Sequence, residues 1–167
     1  MIQFDSPYKF EVEDFSFGNL NRLTLIELFV DGRVASKFLE RHIPIWFSEL
    51  TFVDKAGYDF IHEDGSRYEA KCFTKSGLNY SASKYQGVGR EIDINEHTKH
   101  ASSTNYILCD VVSFPIIRVV FFDGKTLLSR YPTGLIKYAE RHRIFCERSN
   151  LLDGLSSGDE ATAVQQC

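Results

Sequence analysis

Between Tyr58 and Phe73 the chain reads Tyr58-Asp59-Phe60-Ile61-His62, then Glu63-Asp64-Gly65, then Ser66-Arg67-Tyr68-Glu69-Ala70-Lys71-Cys72-Phe73, and no other segment narrows its fold so far. Two aromatic-rich runs around an Asp-Gly predict a β-hairpin. In a three-residue loop the third position takes a left-handed backbone, where glycine carries no Cβ penalty, and Gly65 stands at that position. The register follows. His62 faces Ser66, Ile61 faces Arg67, Phe60 faces Tyr68 and Asp59 faces Glu69, with Lys71 diagonal on the same face. A two-residue Asp64-Gly65 loop would instead oppose Asp59 to Ala70, on the wrong face.

Around the hairpin the pattern alternates between helix and strand. From Asn19 it is helical, with Leu20, Leu23, Val30 and Val34 as the apolar stripe, Asn19 or Asn21 as the cap and Gly32 dividing the helix into two pieces. Glu27 falls on that stripe, a carboxylate on the inward face. Pro44 closes the helical pattern, and Ile45 to Val53 enters the core as a short helix or a strand. Thr74 to Thr104 is polar and too long for a simple connection, which marks a functional loop with room for a helix. Asn105 to Val112 and Ile116 to Phe122 are buried-type strands, Asp123-Gly124 signals a second hairpin into Lys125 to Tyr131, and Pro132-Thr133 opens a helix through about Cys146. On that helix Lys137, Arg141, Arg143 and Arg148, diluted by Glu140 and Glu147, read as a solvated face.

These elements predict an α/β protein, a mixed sheet of four to five strands flanked by helices. Its single domain spans residues 1–148, with 1–18 as an arm that packs on the body or on a second subunit and 149–167 as a poorly ordered tail. A length of 167 residues with 43% hydrophobic content suffices for one core. The N-terminus lacks the basic start and apolar stretch of a signal peptide, and the most apolar segment, Val111 to Phe122, carries Pro115 and Arg118. Cys72, Cys109, Cys146 and Cys167 form no metal-finger spacing. A soluble cytoplasmic protein with reduced thiols and no membrane partner is expected.

An acid two residues before a lysine is common: 23 acids and nine lysines in 167 residues give about one such pair by chance. The chain has two, Glu69-Ala70-Lys71 and Asp123-Gly124-Lys125, and the second is accounted for by its turn. The first stands against Asp59. Directly opposed carboxylates repel unless something positive lies between them. Two readings follow: a divalent cation held by Asp59 and Glu69 with the Ala70 carbonyl, hard oxygen donors that suit magnesium or manganese, or a surface hairpin with Lys71 bridging two solvated acids.

Asp59, nine intervening residues, then Glu69-Ala70-Lys71, on a hairpin preceded by a helix bearing Glu27, resembles the active site of the PD-(D/E)XK nuclease superfamily, particularly its small type II restriction endonucleases. The likeness covers the motif and the helix, hairpin, strand and helix order over residues 20–146, with Tyr58 where the motif has proline. It implies a restriction-endonuclease-like sheet, Asp59 and Glu69 as ligands of Mg2+ (or Mn2+), Lys71 beside the attacking water, and Glu27 as the auxiliary acid. The implied activity is metal-dependent hydrolysis of DNA phosphodiesters, leaving a 5′-phosphate and a 3′-hydroxyl.

From Ala70 to Arg90 there are four cations, Lys71, Lys75, Lys84 and Arg90, and no acid, in a chain of net charge −4. Bulk-charge coating of nucleic acid is excluded, so contact must be local. Lys75, Ser76, Asn79, Tyr80, Lys84, Gln86 and Arg90, extended by His97, Lys99 and His100, are the expected contacts to double-stranded DNA. His62 and the cysteines carry no catalysis in this reading. A homodimer cutting a short two-fold symmetric site is the first expectation. A junction or flap nuclease, and a non-catalytic binding module, are the competing ones.

Overall fold

The computed structural model describes residues 2–55, 57–81 and 93–145. Its strands are β1 (Pro7–Glu11), β2 (Leu50–Lys55), β3 (Tyr58–His62), β4 (Arg67–Cys72), β5 (Leu78–Asn79), β6 (Asn105–Asp110), β7 (Ile116–Phe122) and β8 (Leu135–Ile136). The helices are α1 (Arg22–Phe29), α2 (Gly32–Trp46), α3 (Ile94–Ala101), α4 (Gly124–Arg130) and α5 (Arg141–Phe145), with a 3-10 turn at Tyr138–Glu140. The main sheet has six strands in the order β1-β7-β6-β4-β3-β2, and β5 pairs with β8 in a second, two-stranded sheet. The fold is therefore α/β and mixed. The arm, given no element in the sequence reading, supplies β1 on the β7 edge; Ile45 to Val53, expected as a short helix or a strand, holds the end of α2 and the start of β2; and the short strands β5 and β8 were not expected.

Successive residues of β6 point to opposite faces, so Ile107 and Cys109 enter one core with Ala35, Leu39 and Ile43 of α2, while Tyr106 and Leu108 enter another with Ala101, Leu127 and Phe145 of α3, α4 and α5. α2 leads into the antiparallel β2-β3-β4 meander, and α3 then carries the chain across to β6, which runs parallel to β4. A parallel neighbour demands such a crossover. The consequence for function is that β4 is approached by α2 from one side and α3 from the other.

Several local signals resolve differently from expectation. Asn21 caps α1 by accepting from Thr24 N at 2.9 Å, and α1 and α2 part before Gly32 as expected. However, α1 buries Leu25, whereas Leu20 and Leu23 are 44% and 73% exposed. Leu20, Leu28, Val34 and Phe38 instead face an open apolar cavity of about 580 Å³ beneath Phe15 and Phe17. Pro44 lies inside α2 rather than ending it, two residues before its end, where it forgoes one helical hydrogen bond and little helix follows for it to kink. Asp123-Gly124 makes no hairpin: Asp123 caps α4, its Oδ2 accepting from Thr126 N at 2.9 Å. The expected last helix shrinks to α5 after β8 and the 3-10 turn. Its Arg141 is no solvated residue, since Nε lies 2.8 Å from Oδ1 of buried Asp110. Arg143 does project into solvent, 81% exposed. Arg148 and the tail at 149–167 lie outside the described residues. Among the described residues no helix is long and apolar enough to cross a membrane.

Candidate functional site

The β3-β4 hairpin closes in the expected register. Phe60 pairs with Tyr68 and Ile61 with Arg67; His62 N donates to Ser66 O at 2.9 Å and Gly65 N to His62 O at 2.8 Å. Gly65 has φ +86°, the left-handed turn position argued from its missing side chain. The Asp64 carboxylate accepts from Ser66 N at 2.8 Å and secures the loop.

Beyond Phe60 and Tyr68 the ladder stops. Asp59 and Glu69 do not pair across it; instead Asp59 Oδ2 accepts the Ala70 N–H at 2.8 Å. The ladder thus gives way to a side-chain bond where the motif sits. On the other side of β3 the pairing with β2 slips between Phe52 and Lys55, an irregularity of the kind that re-aims side chains next to functional sites.

Glu69 is the hub. Its side chain is 9% exposed, Oε1 lies 2.5 Å from Lys71 Nζ, and Oε2 lies 3.2 Å from Nε2 of His100 on α3. Burial pushes its carboxyl up, but hydrogen bonds and charge from His100 and Lys71 outweigh burial and hold it below the ordinary carboxylate range. Asp59 moves the other way. Burial raises it, and the negative charges of Glu69 and Glu40 add to the rise against the Ala70 hydrogen bond and Lys71. Glu40, on α2, is 7% exposed and held by Lys37 at 2.9 Å.

Glu40, and not Glu27, is the helical acid whose charge acts on Asp59. Because α1 turns Leu25 inward, Glu27 faces solvent and is not among the acids that act on Asp59. His100 is the other addition: sequence reading put it among nucleic-acid contacts, and the βα-crossover over β4 is the signal that would have turned it to Glu69. His97, expected beside it, is fully buried and contacts Tyr80. Tyr80 is likewise a core residue, 0% exposed, its hydroxyl donating to Tyr131 O at 2.6 Å and pushed well above the ordinary phenol range by burial. Neither can touch DNA. Lys75, Ser76, Asn79 and Lys99 are exposed, though Asn79 Oδ1 accepts from Ser81 N and Ser76 Oγ is 2.8 Å from Thr74 Oγ1. Lys84, Gln86 and Arg90 lie outside the described residues.

Among the described residues no three carboxylate, imidazole or thiol groups already converge as a closed cation cage. The donor chemistry nevertheless fits magnesium, which keeps most of its waters and needs one or two carboxylates together with substrate phosphate. Asp59, half-buried and raised by two neighbouring acids, is where a cation relieves repulsion. Asp59→Asn tests this without DNA. The folded protein holds the Asp59 proton more tightly than the unfolded chain, so the cost of its ionisation is absent below the ordinary value of 3.8 and grows as pH rises through the folded value. Asparagine keeps an oxygen for Ala70 N–H and removes the charge. In the absence of divalent cations the variant is expected to melt about 2 °C higher at pH 7 and to lose the gain near pH 3; a lower Tm at pH 7 would mean the carboxylate charge is already compensated.

No protein-family model matches the chain, and no curated protein matches it.

Proposed function

We propose that the protein is a metal-dependent DNA endonuclease, a sequence-specific type II restriction enzyme acting as a homodimer. The observation that carries the reading is the end of the β3-β4 ladder at Asp59, where Ala70 N–H is bonded to the carboxylate and the charges of Glu69, Lys71 and Glu40 act on it. Its support is twofold: the succession α2, the β3-β4 hairpin, β6-β7, then α4 and α5 follows the helix, hairpin, strand and helix order on which the resemblance to PD-(D/E)XK nucleases rests, with α3 inserted before β6, and the acids are more crowded than a solvated surface hairpin requires. A two-fold symmetric site cut on both strands calls for two copies of one active site.

Asp59 and Glu69 are the residues that hold Mg2+, which when bound supplies charge stabilisation at the scissile phosphate. Lys71, partly exposed and paired with Glu69, is the residue that would hold the attacking water in line with phosphorus and offset negative charge on the phosphate. Water oxygen bonds to phosphorus, the P–O3′ bond breaks and the 3′ oxygen takes up a proton. His100 keeps Glu69 oriented from α3. Exposed Lys75 and Lys99, four residues after Lys71 and one before His100, serve the DNA backbone.

Purified protein with supercoiled plasmid and magnesium, followed by sequencing of the ends, tests the reading. Discrete fragments with 5′-phosphates support it. Cutting of branched DNA alone would favour a junction or flap nuclease. No cleavage, together with no rise of Tm in calcium or magnesium, would favour an inert binding module.

A further inference from the structure

Cys72 on β4 and Cys109 on β6 are direct partners in the parallel ladder. Both are free thiols on the α2 side of the sheet, Cys109 buried within that core and Cys72 half-buried against it. Paired residues on neighbouring strands stand about 4.8 Å apart, inside the span of about 4.4–6.8 Å between Cα atoms that a disulfide bridges. The neighbouring Cys72 thiol, ahead of burial and the charges of Asp110 and Asp59, pushes the Cys109 thiol well above its ordinary range, so Cys72 is the first of the pair to react. α2 starts directly over Cys72. A Cβ on Gly32 would meet Phe73 O at 2.8 Å and Cys72 Cβ at 3.0 Å, which leaves little room for a bulky adduct and admits a small oxidant.

We propose that Cys72 and Cys109 are a dithiol modification site, closed by hydrogen peroxide into an intramolecular disulfide that slows the site on β4; the effect on cutting rests on the nuclease reading. Cys72 sulfur attacks one peroxide oxygen, forming S–O and breaking O–O, and hydroxide leaves to take a proton as water. Cys109 sulfur then attacks Cys72 sulfur, forming S–S and breaking S–O, and its proton departs with the second water. Two thiols are oxidised by two electrons and one peroxide is reduced to two waters. The bridge draws the backbone at Cys72 toward β6 immediately after Lys71, whose ammonium must stay on Glu69.

The test treats the full-length protein with hydrogen peroxide, blocks remaining thiols with an alkylating agent and maps the peptides by mass. A Cys72–Cys109 disulfide is expected, cleared by dithiothreitol, with plasmid cutting reduced about 100-fold in the oxidised form, the scale of a misplacement near 1 Å, and restored on reduction. Cys72→Ser, at the half-exposed position, is expected to cut normally and to be indifferent to the same peroxide dose. The double variant Cys146→Ser/Cys167→Ser leaves the pair without competing thiols. Stepwise over-oxidation of Cys72 with Cys109 still alkylatable after unfolding, or a disulfide that leaves cutting unchanged, overturns the proposal. Should the reduced protein not cut at all, the nuclease reading falls, while the mapped disulfide still decides the dithiol site.

Discussion

Lys71→Ala is expected to lower magnesium-dependent cleavage about 1000-fold, the scale of removing one preorganised electrostatic or proton-handling group, while binding of the same DNA with calcium in place of magnesium stays within about threefold of wild type. Lys71 is 25% exposed and ends 2.5 Å from Glu69 Oε1, so it is reachable by solvent and yet committed to a buried acid. Its loss does not strand that acid, since His100 still holds Oε2 at 3.2 Å, and the variant is expected to fold. Lys71→Arg sharpens the comparison. It keeps a positive charge beside Glu69, but a planar fork does not replace a compact ammonium that holds one water, so cutting is expected to remain low while calcium-dependent binding is again unchanged. Equal loss of binding and cutting in Lys71→Ala would place Lys71 in DNA binding and remove it from the chemistry.

How much of this arrangement was legible depended on how local each signal was. The hairpin register followed from a single three-residue loop ending in Gly65, and that chemistry lies within the loop itself. The second acid near Asp59 did not follow, because residues 20–29 are apolar on more than one face: Leu20 and Leu23 make one stripe and Leu25, Ile26 and Phe29 another, and packing against α2 and Phe114 selects the second. Glu27 turned outward with that choice. Glu40 sits beside the Ala35, Leu39 and Ile43 stripe of α2, and naming it required knowing which strand that stripe lies on. Tyr80 and His97 looked like polar loop residues; the pairing of Leu78 with Ile136 and of Asn79 with Leu135 draws the segment into the core. Long-range pairing decided each of these cases.

The Asp123-Gly124 dipeptide is the clearest instance, and it carries the largest expected effect on stability. An aspartate that accepts a backbone N–H and a following glycine are signals shared by tight turns and helix starts, and here Asp123 begins α4. What distinguishes the two is packing around the glycine. Gly124 is buried, and a Cβ there would overlap the backbone oxygens of Ala101 and Thr104, atoms at the end of α3 and the entry to β6 that have no side-chain rotation with which to yield. Gly124→Ala is expected to destabilise the fold by about 3 kcal/mol, at the upper end for overpacking, and to lower Tm by roughly 6–12 °C. Gly65→Ala is the contrast: nothing lies within 4 Å of its Cβ and only the φ of +86° resists, so a loss of about 1 kcal/mol is expected. Calorimetry on the two variants separates steric from conformational cost. Because α4 presses on the turn that follows His100, Gly124→Ala is also expected to loosen the grip of His100 on Glu69 and to weaken cutting below its melting range. A variant that melts within about 2 °C of wild type would show that α4 does not clamp α3, and the positioning of Glu69 from that side would have to come from β6 alone.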